Sequence, residues 1–407
     1  MGEPETVASL LPLFELVEDP RVDRTKAYPL SEILFLVVSA VVSGVNLLTD
    51  VEKFGQAKLD WLRKFLPYDN GIPSHDTIGR VLGLVEPDAL ERMFQRWMEA
   101  TASVTDGVIA IDGQTLRGAI ERGNSRSFIH MVSAFASANA VVLGQVRANE
   151  KSIEISAIPD LLETLHLKGN VVTIDAFGCQ SRIARQIVQA GGDFLIAVKG
   201  NQPTLHADII AAFREVDGAD AELFHSQCVV DDKKAHRRKE RRECQTLKAS
   251  NLLEEPDKWP DVKSLIRAIA QRTVGDQESE VSERYFISSI ANLSAERALA
   301  ITRAHWRIEN QLHWSLDVAF CEDDCRIYAE NAAENLVVIR HIALNMLRSV
   351  QGLSGGISSK RNQAGSGQSH LTSRQRTAPS PWRHRYRRTS VSSRRRLRSG
   401  LARNVED

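Results

Sequence analysis

Apolar residues recur at helical spacing between residues 29 and 98, and strand-like runs begin near residue 108. Pro29 suits a first helical turn, and Leu30, Ile33, Leu34, Val37 and Val38 follow the helical period behind it. A second helix is expected from about Asp50 to Leu66, with Val51, Phe54, Trp61, Leu62 and Phe65 along one side. Pro67-Tyr68-Asp69-Asn70-Gly71 should stop it. Ser74 then caps a short helix carrying Ile78, Val81, Leu82 and Val85. A helix, a tight turn and a short helix presenting His75, Asp76 and Arg80 would suit a DNA-reading unit. The same residues would equally build an ordinary helical bundle.

From residue 108 the pattern predicts a mixed sheet. Val108-Ile109-Ala110-Ile111 and Val171-Val172-Thr173-Ile174 are short apolar strands, each ending in an acid, Asp112 and Asp175. Phe128 to Ser137 and Val141 to Ala148 read as two strands joined by Ala138-Asn139, and Phe194 to Val198 as another. Helices with Ile155, Ile158, Leu161, Leu162 and Leu165, and over Arg182 to Ala190, separate the later strands. Three adjacent strands followed by helix, strand, helix, strand give an α/β fold whose first strands form a meander. Residues 199–284 are irregular and charged. After a capping Ser294 one long helix carries Ala298, Ile301, His305, Ile308, Glu309 and Leu312, and another covers Ala332 to Val350.

Composition changes this picture little. The formal net charge is zero, yet residues 353–407 alone carry +11, so the rest is acidic. Phosphate binding is driven by Lys and Arg, so any DNA contact must come from local patches. Five scattered cysteines without a Cys-x-x-Cys pair suit a reducing cytosol. The acidic start argues against a secretory signal. The run from Ile33 to Leu48 is broken by polar residues and falls short of the ~20 residues of a membrane span.

Strand ends are where open α/β sheets place ligands, and two carboxylates side by side repel unless a cation sits between them. Glu309 is the third acid of interest, with His305 and His313 one turn to either side. His305 through Val318, with Phe320 and Glu322-Asp323, closely resembles the signature of the H-repeat-associated group of insertion-sequence transposases. So do Ile111-Asp112-Gly113-Gln114-Thr115-Leu116-Arg117-Gly118, Asp175-Ala176-Phe177-Gly178-Cys179-Gln180 and Val198-Lys199-Gly200-Asn201-Gln202. Pro73-Ser74-His75-Asp76-Thr77 is similar to that group's associated domain, and the likeness runs from about residue 10 to 364.

The resemblance implies a ribonuclease H-like core in which Asp112, Asp175 and Glu309 bind two Mg²⁺ ions, with Mn²⁺ able to substitute. Intervals of 63 and 134 residues fit that core with an insertion before the Glu helix. The implied layout has an N-terminal DNA-binding helical domain (1–100) and a catalytic domain (101–200 and 285–352). An insertion domain (201–284) and a disordered Arg/Ser-rich tail (353–407) complete it. The implied activity is strand cleavage at element ends and transfer into target DNA, in the bacterial cytoplasm at the nucleoid. Joining two ends implies a homodimer when acting. Arg80, Lys199, Arg237, Arg238, Arg241, Arg242 and His305 are the expected DNA contacts.

Some positions depart from the group. Thr302, His305 and Leu316 stand where related transposases carry Tyr, Arg and Lys around the Glu, and a protonated His305 would substitute for the Arg. Gln114 replaces an expected Lys, and Arg237 an expected Gly. Three other readings stay open: a zinc hydrolase using His305, Glu309 and His313, an inactive DNA-binding remnant, and a nuclease that cuts without joining. From Ser366 the likeness stops abruptly, and 11 Arg fall between Ser373 and Arg403. Such a run reads as a frameshift near codon 365, or as a basic DNA-binding arm.

Overall fold

Strand β1 (Val108–Ile120) is the axis on which the molecule is built. The computed structural model describes residues 10–101, 107–120, 128–148, 154–218, 227–235, 238–274, 277–278, 281–325, 327, 330–350 and 354–366. Strands β2 (Phe128–Ala136) and β3 (Val141–Ala148) fold back antiparallel beside β1, and β4 (Val171–Ile174) and β5 (Asp193–Val198) run parallel to it on its other side. This is the mixed α/β arrangement that the hydrophobic pattern predicts. β1 itself is longer than the apolar run suggests. Asp112 lies within the strand, opposite Ser133 of β2, because the weakly patterned stretch Gly113–Leu116 continues the antiparallel ladder.

Residues 201–284, expected as an irregular insertion, extend this same sheet. After a helix at Pro203–Gly218 come β6 (Gln227–Ala235), β7 (Arg238–Lys248), β8 (Ser264–Val274), the short β9 (Gln277–Glu278) and β10 (Ser282–Ser288). The strand order is β3-β2-β1-β4-β5-β10-β8-β7-β6, with β9 on β8. The β6–β7 register sets Asp231 opposite Arg242, Asp232 opposite Arg241 and Lys233 opposite Glu240. Charged residues at these register positions leave no apolar alternation, which is why the hydrophobic pattern missed these strands; Asp231 itself pairs with Arg303 of the later helix at 2.8 Å.

Helices cover both faces. Helix α1 (Leu30–Val42) is buried on nearly every side, so it is a core helix. It ends at Ser43-Gly44, where Gly44 takes φ +98°. α2 (Leu48–Leu62) packs on it, and α3 (His75–Leu84) and α4 (Pro87–Thr101) share its apolar cluster. On the sheet's other side α5 (Glu154–Glu163), α6 (Ser181–Gln189) and α7 (Pro203–Gly218) bury Ile158, Leu161, Ile187, Ile209 and Phe213.

The late helices tie these layers together. α8 (Ala295–His305) is capped by Ser294, as expected, but the predicted long helix breaks after it. A π-helical turn (Ile308–His313) and α9 (Trp314–Ala319) follow. α10 (Ala332–Ser349) shares one apolar cluster with α1, α3, α4 and residues Phe135 and Val142 of the sheet. Asn335 donates to the carbonyls of Leu82 and Val85, and the Asn345 amide exchanges hydrogen bonds with both backbone groups of Val142. The N-terminal helices are therefore packed into the body of the molecule, and residues through Ser366 form one compact unit.

Residues 354–366 belonged to the expected disordered tail, but Ile357–Ser366 form helix α11. Its Arg361, 2% exposed, donates to the carbonyls of Val41, Val45 and Ala319 and to Asn46 Oδ1, and lies over the Phe320 ring. One buried guanidinium anchors a helix whose composition is otherwise tail-like. Residues 367–407, including the proposed frameshifted run, lie outside the described residues. No helix among the described residues is long and apolar enough to cross a membrane.

Candidate active site

The parallel register decides where the two aspartates stand. β1 and β4 pair through Val108↔Val171 to Ile111↔Ile174, so Asp112 and Asp175 are each the next residue after the last pair. Adjacent strands lie about 4.8 Å apart, which makes the two acids lateral neighbours at the end of the parallel β1–β4 ladder. Asp175 leaves the strand and caps a 3₁₀ turn, accepting hydrogen bonds from the Phe177 and Gly178 amides on Oδ1. Gly178 permits that turn, since a Cβ there would meet Ile174 Cγ2 at 2.4 Å. Asp112 accepts from the Gly113 amide on Oδ1.

Glu309 reaches the same place from the π-helical turn. Asp112, Asp175 and Glu309 all line one cleft of about 430 Å³, with Thr173, Lys199, Arg284, Tyr285 and His305 among its other walls. A helix breaking into π geometry at a pocket is a frequent feature of functional sites, because the extra residue re-aims the side chains around it. Here it presents exposed Glu309 to the cleft while Ile308 and Leu312 stay buried. Lys199 follows Val198 and Arg284 precedes Tyr285, the last pair of the β5–β10 ladder, so the register brings these two cations to one end of it.

The expected phosphate-gripping His305 behaves differently. Its Nδ1 is 3.0 Å from Thr173 Oγ1, and burial pushes the imidazole down to about 4 despite the nearby Asp175. The ring is therefore neutral at physiological pH and cannot replace an arginine's charge. Arg284 is a permanent cation on the same cleft; its guanidinium stacks 4.4 Å from the centre of the half-exposed Trp306 ring. Sequence reading missed Arg284 because it lies in the charged segment read as irregular; the run Tyr285-Phe286-Ile287 beside it was the available signal.

The other expected DNA contacts fall elsewhere. Arg80 is exposed on α3. Arg238, Arg241 and Arg242 belong to β7, which β8 and β10 separate from β5, and Arg242 pairs with Glu240 at 2.6 Å. Arg237 lies outside the described residues. The trio a zinc site would need is divided: His305 turns to Thr173, while His313 Nδ1 stands 3.7 Å from Asp112 Oδ2.

Among the described residues, no group of three or more His, Cys, Asp or Glu side chains forms a ready-made metal cage. The donor chemistry of the cleft nevertheless fits a hard divalent ion. Mg²⁺ takes one or two carboxylates plus substrate oxygens and keeps several waters, so it needs carboxylates on an open cleft rather than a closed cage.

Family comparison covers nearly the whole of this body of the chain. Residues 104–346 match the family described as the transposase DDE domain, and residues 11–98 match its associated domain. The chain belongs to the DDE transposase family, within its H-repeat-associated group. It is 42% identical over 367 residues to "Putative transposase YncI" of Escherichia coli O157:H7, covering 88% of this chain and 92% of that protein. It is 38% identical over 370 residues to "H repeat-associated putative transposase YhhI" of Escherichia coli strain K12, covering 89% and 97%. A solved piggyBac transposase synaptic complex with hairpin DNA is similar at 9% identity, covering 91% of this chain and 77% of that one, with a TM-score of 0.44.

Proposed function

We propose that the protein is a DNA transposase that cleaves strands at the ends of its element and joins them to target DNA, with Asp112, Asp175 and Glu309 as the catalytic acids. The observation that carries this reading is their convergence on one cleft from three separate segments. The strand order β3-β2-β1-β4-β5 supports a ribonuclease H-like core, with the added strands as an outgrowth of its edge.

Divalent ions, Mg²⁺ or Mn²⁺, would be held by the three carboxylates and would supply activation of the attacking oxygen and stabilisation of the leaving one in an in-line displacement. The chain's own groups do the positioning. The Gly113 amide fixes one oxygen of Asp112, and the Phe177 and Gly178 amides fix one oxygen of Asp175. Lys199 and Arg284 give the cleft the positive charge that phosphate oxygens seek. Neutral His305 offers a phosphate a hydrogen bond rather than a charge. Exposed Arg80 on α3, with its helical neighbours, is the proposed contact for element ends, and the β6–β7 hairpin for DNA backbone. The protein acts as a homodimer, since two ends must be joined, in the cytoplasm at the nucleoid.

The test is an oligonucleotide carrying the terminal inverted repeat, incubated with Mg²⁺ or Mn²⁺ and a target duplex. The wild-type chain should release a 3′-hydroxyl end and transfer it, and Asp175→Ala should give no product while retaining DNA binding. Cleavage at the wild-type rate by Asp175→Ala refutes the assignment of the acids. Cutting without joining marks a nuclease, and binding without cutting marks an inactive remnant.

A further inference from the structure

His313 follows Glu309 on the same π-helical turn, and its side chain, 12% exposed, turns toward β1. Its Nδ1 stands 3.7 Å from Asp112 Oδ2. Its Nε2 is enclosed without a hydrogen-bond partner among the described residues, and so is Nδ1 of His341 on α10, a residue 1% exposed. The two rings are neighbours, and burial together with His313 pushes the His341 imidazole down to about 3. Leaving a buried polar atom unpaired is costly, so two such nitrogens in one neighbourhood ask for a reason.

A neutral imidazole carries one N–H and one bare nitrogen. A bare Nδ1 would turn its lone pair on the Asp112 carboxylate, so the favoured tautomer has the proton on Nδ1, facing the acid. Nε2 is then an acceptor, and a bond from His341, direct or through one water, would satisfy both unpaired nitrogens. At 3.7 Å the Asp112 contact is longer than a hydrogen bond, and closing it takes less than about 1 Å of movement.

We propose that His313 is a positioning residue for Asp112: its Nδ1–H holds the Oδ2 oxygen and ties the first acid to the turn that carries the third. The proposal rests on the assignment of Asp112 and Glu309 as metal-holding acids made above. Since Glu309 and His313 share a turn, the link lets Asp112 and Glu309 keep one spacing although they lie on different elements. Carboxylates that bind metals are commonly oriented in this way, and the loss of such an orienting partner weakens metal affinity about 10- to 100-fold.

The experiment is Mn²⁺ binding to the full chain, followed by electron paramagnetic resonance, for wild type, His313→Asn, His313→Leu and Asp112→Ala. Thermal melts verify that each variant is folded. An asparagine amide keeps an N–H near the Nδ1 position, so His313→Asn should bind Mn²⁺ close to the wild-type strength. His313→Leu, of similar volume but without a donor, should bind it about 10- to 100-fold more weakly. Equal affinity in His313→Leu and wild type overturns the proposal, and so does an equal loss in both His313 variants, which would mean packing alone. If Asp112→Ala binds Mn²⁺ as wild type does, the acid assignment fails first and this proposal falls with it. Asp112→Ala weak with His313→Leu unaffected sinks the positioning role alone.

Discussion

Replacing Glu91 with glutamine should stabilise the protein, and the gain should grow with pH. Glu91 lies on α4, where its Oε1 accepts hydrogen bonds from the Gln145 amide at 3.0 Å and the Gln95 side chain at 3.4 Å. Its Oε2 is enclosed with no partner, although the residue's stem reaches the surface. Burial pushes the carboxyl up from 4.5 to about 8, with Glu334 adding a like charge. Below pH 4.5 the group is protonated in both states and has no pH-dependent effect. Between 4.5 and 8 the folded protein holds a proton that the unfolded chain releases, so stability falls as pH rises, by about 1.4 kcal/mol per unit. At pH 7 this amounts to a penalty on the order of 3 kcal/mol. The Gln145 side-chain oxygen is itself buried without a partner, so a new amide at position 91 has an acceptor at hand. Urea denaturation at pH 5, 6, 7 and 8 measures the outcome as the wild-type and Glu91→Gln curves separate. A difference between the two proteins that stays constant over this range would refute the reasoning.

Arg361→Ala should lower Tm by roughly 4 °C, since the carbonyls of Val45 and Ala319 and Oδ1 of Asn46 lose a donor, at a cost of about 3 kcal/mol in so large a unit. An unchanged melting curve would mean that α11 is held by other contacts. Gly178→Ala should cost about 1–3 kcal/mol, because the added Cβ meets Ile174 Cγ2 at 2.4 Å and Ile158 Cδ1 at 2.9 Å. It should also reduce strand cleavage, as the turn that holds Asp175 must shift, and full cleavage activity would show that the turn yields without moving the acid.

What the sequence disclosed follows from how local each signal is. Ile111 and Ile174 end apolar runs, and a parallel pairing of those runs is enough to bring Asp112 beside Asp175. The helix of Glu309 was also legible, as Ser294 and the apolar spacing mark its start. Its break into π geometry was not, because the break depends on packing Ile308 and Leu312 while Glu309 and His313 face different neighbours. Strands β6 and β7 escaped notice because their facing positions are largely charged, whereas the apolar Leu265, Ile266, Ala268 and Ile269 of β8 were a signal left unread. α11 escaped for the opposite reason: Arg361, Lys360, Ile357 and Ala364 secure it, and four scattered anchors in a tail-like composition carry no periodic signal. The shared core of the N-terminal helices and α10 joins positions some 250 residues apart, such as Leu82 and Asn335. No window along the chain can register such a contact.

The cleft has a floor and a wall of different origin. Its floor acids ride on β1 and β4, while Arg284 and Tyr285 ride on β10, at the end of a long excursion that leaves from β5 and returns antiparallel to it. Because the two ends of the excursion are hydrogen-bonded neighbours, lengthening or shortening what lies between them costs little closure entropy. The far hairpin can thus be rebuilt, grafted or charged anew without disturbing the spacing of the acids. In such a layout the hairpin proposed to meet the DNA backbone and the cleft proposed to break it are free to diverge at separate rates.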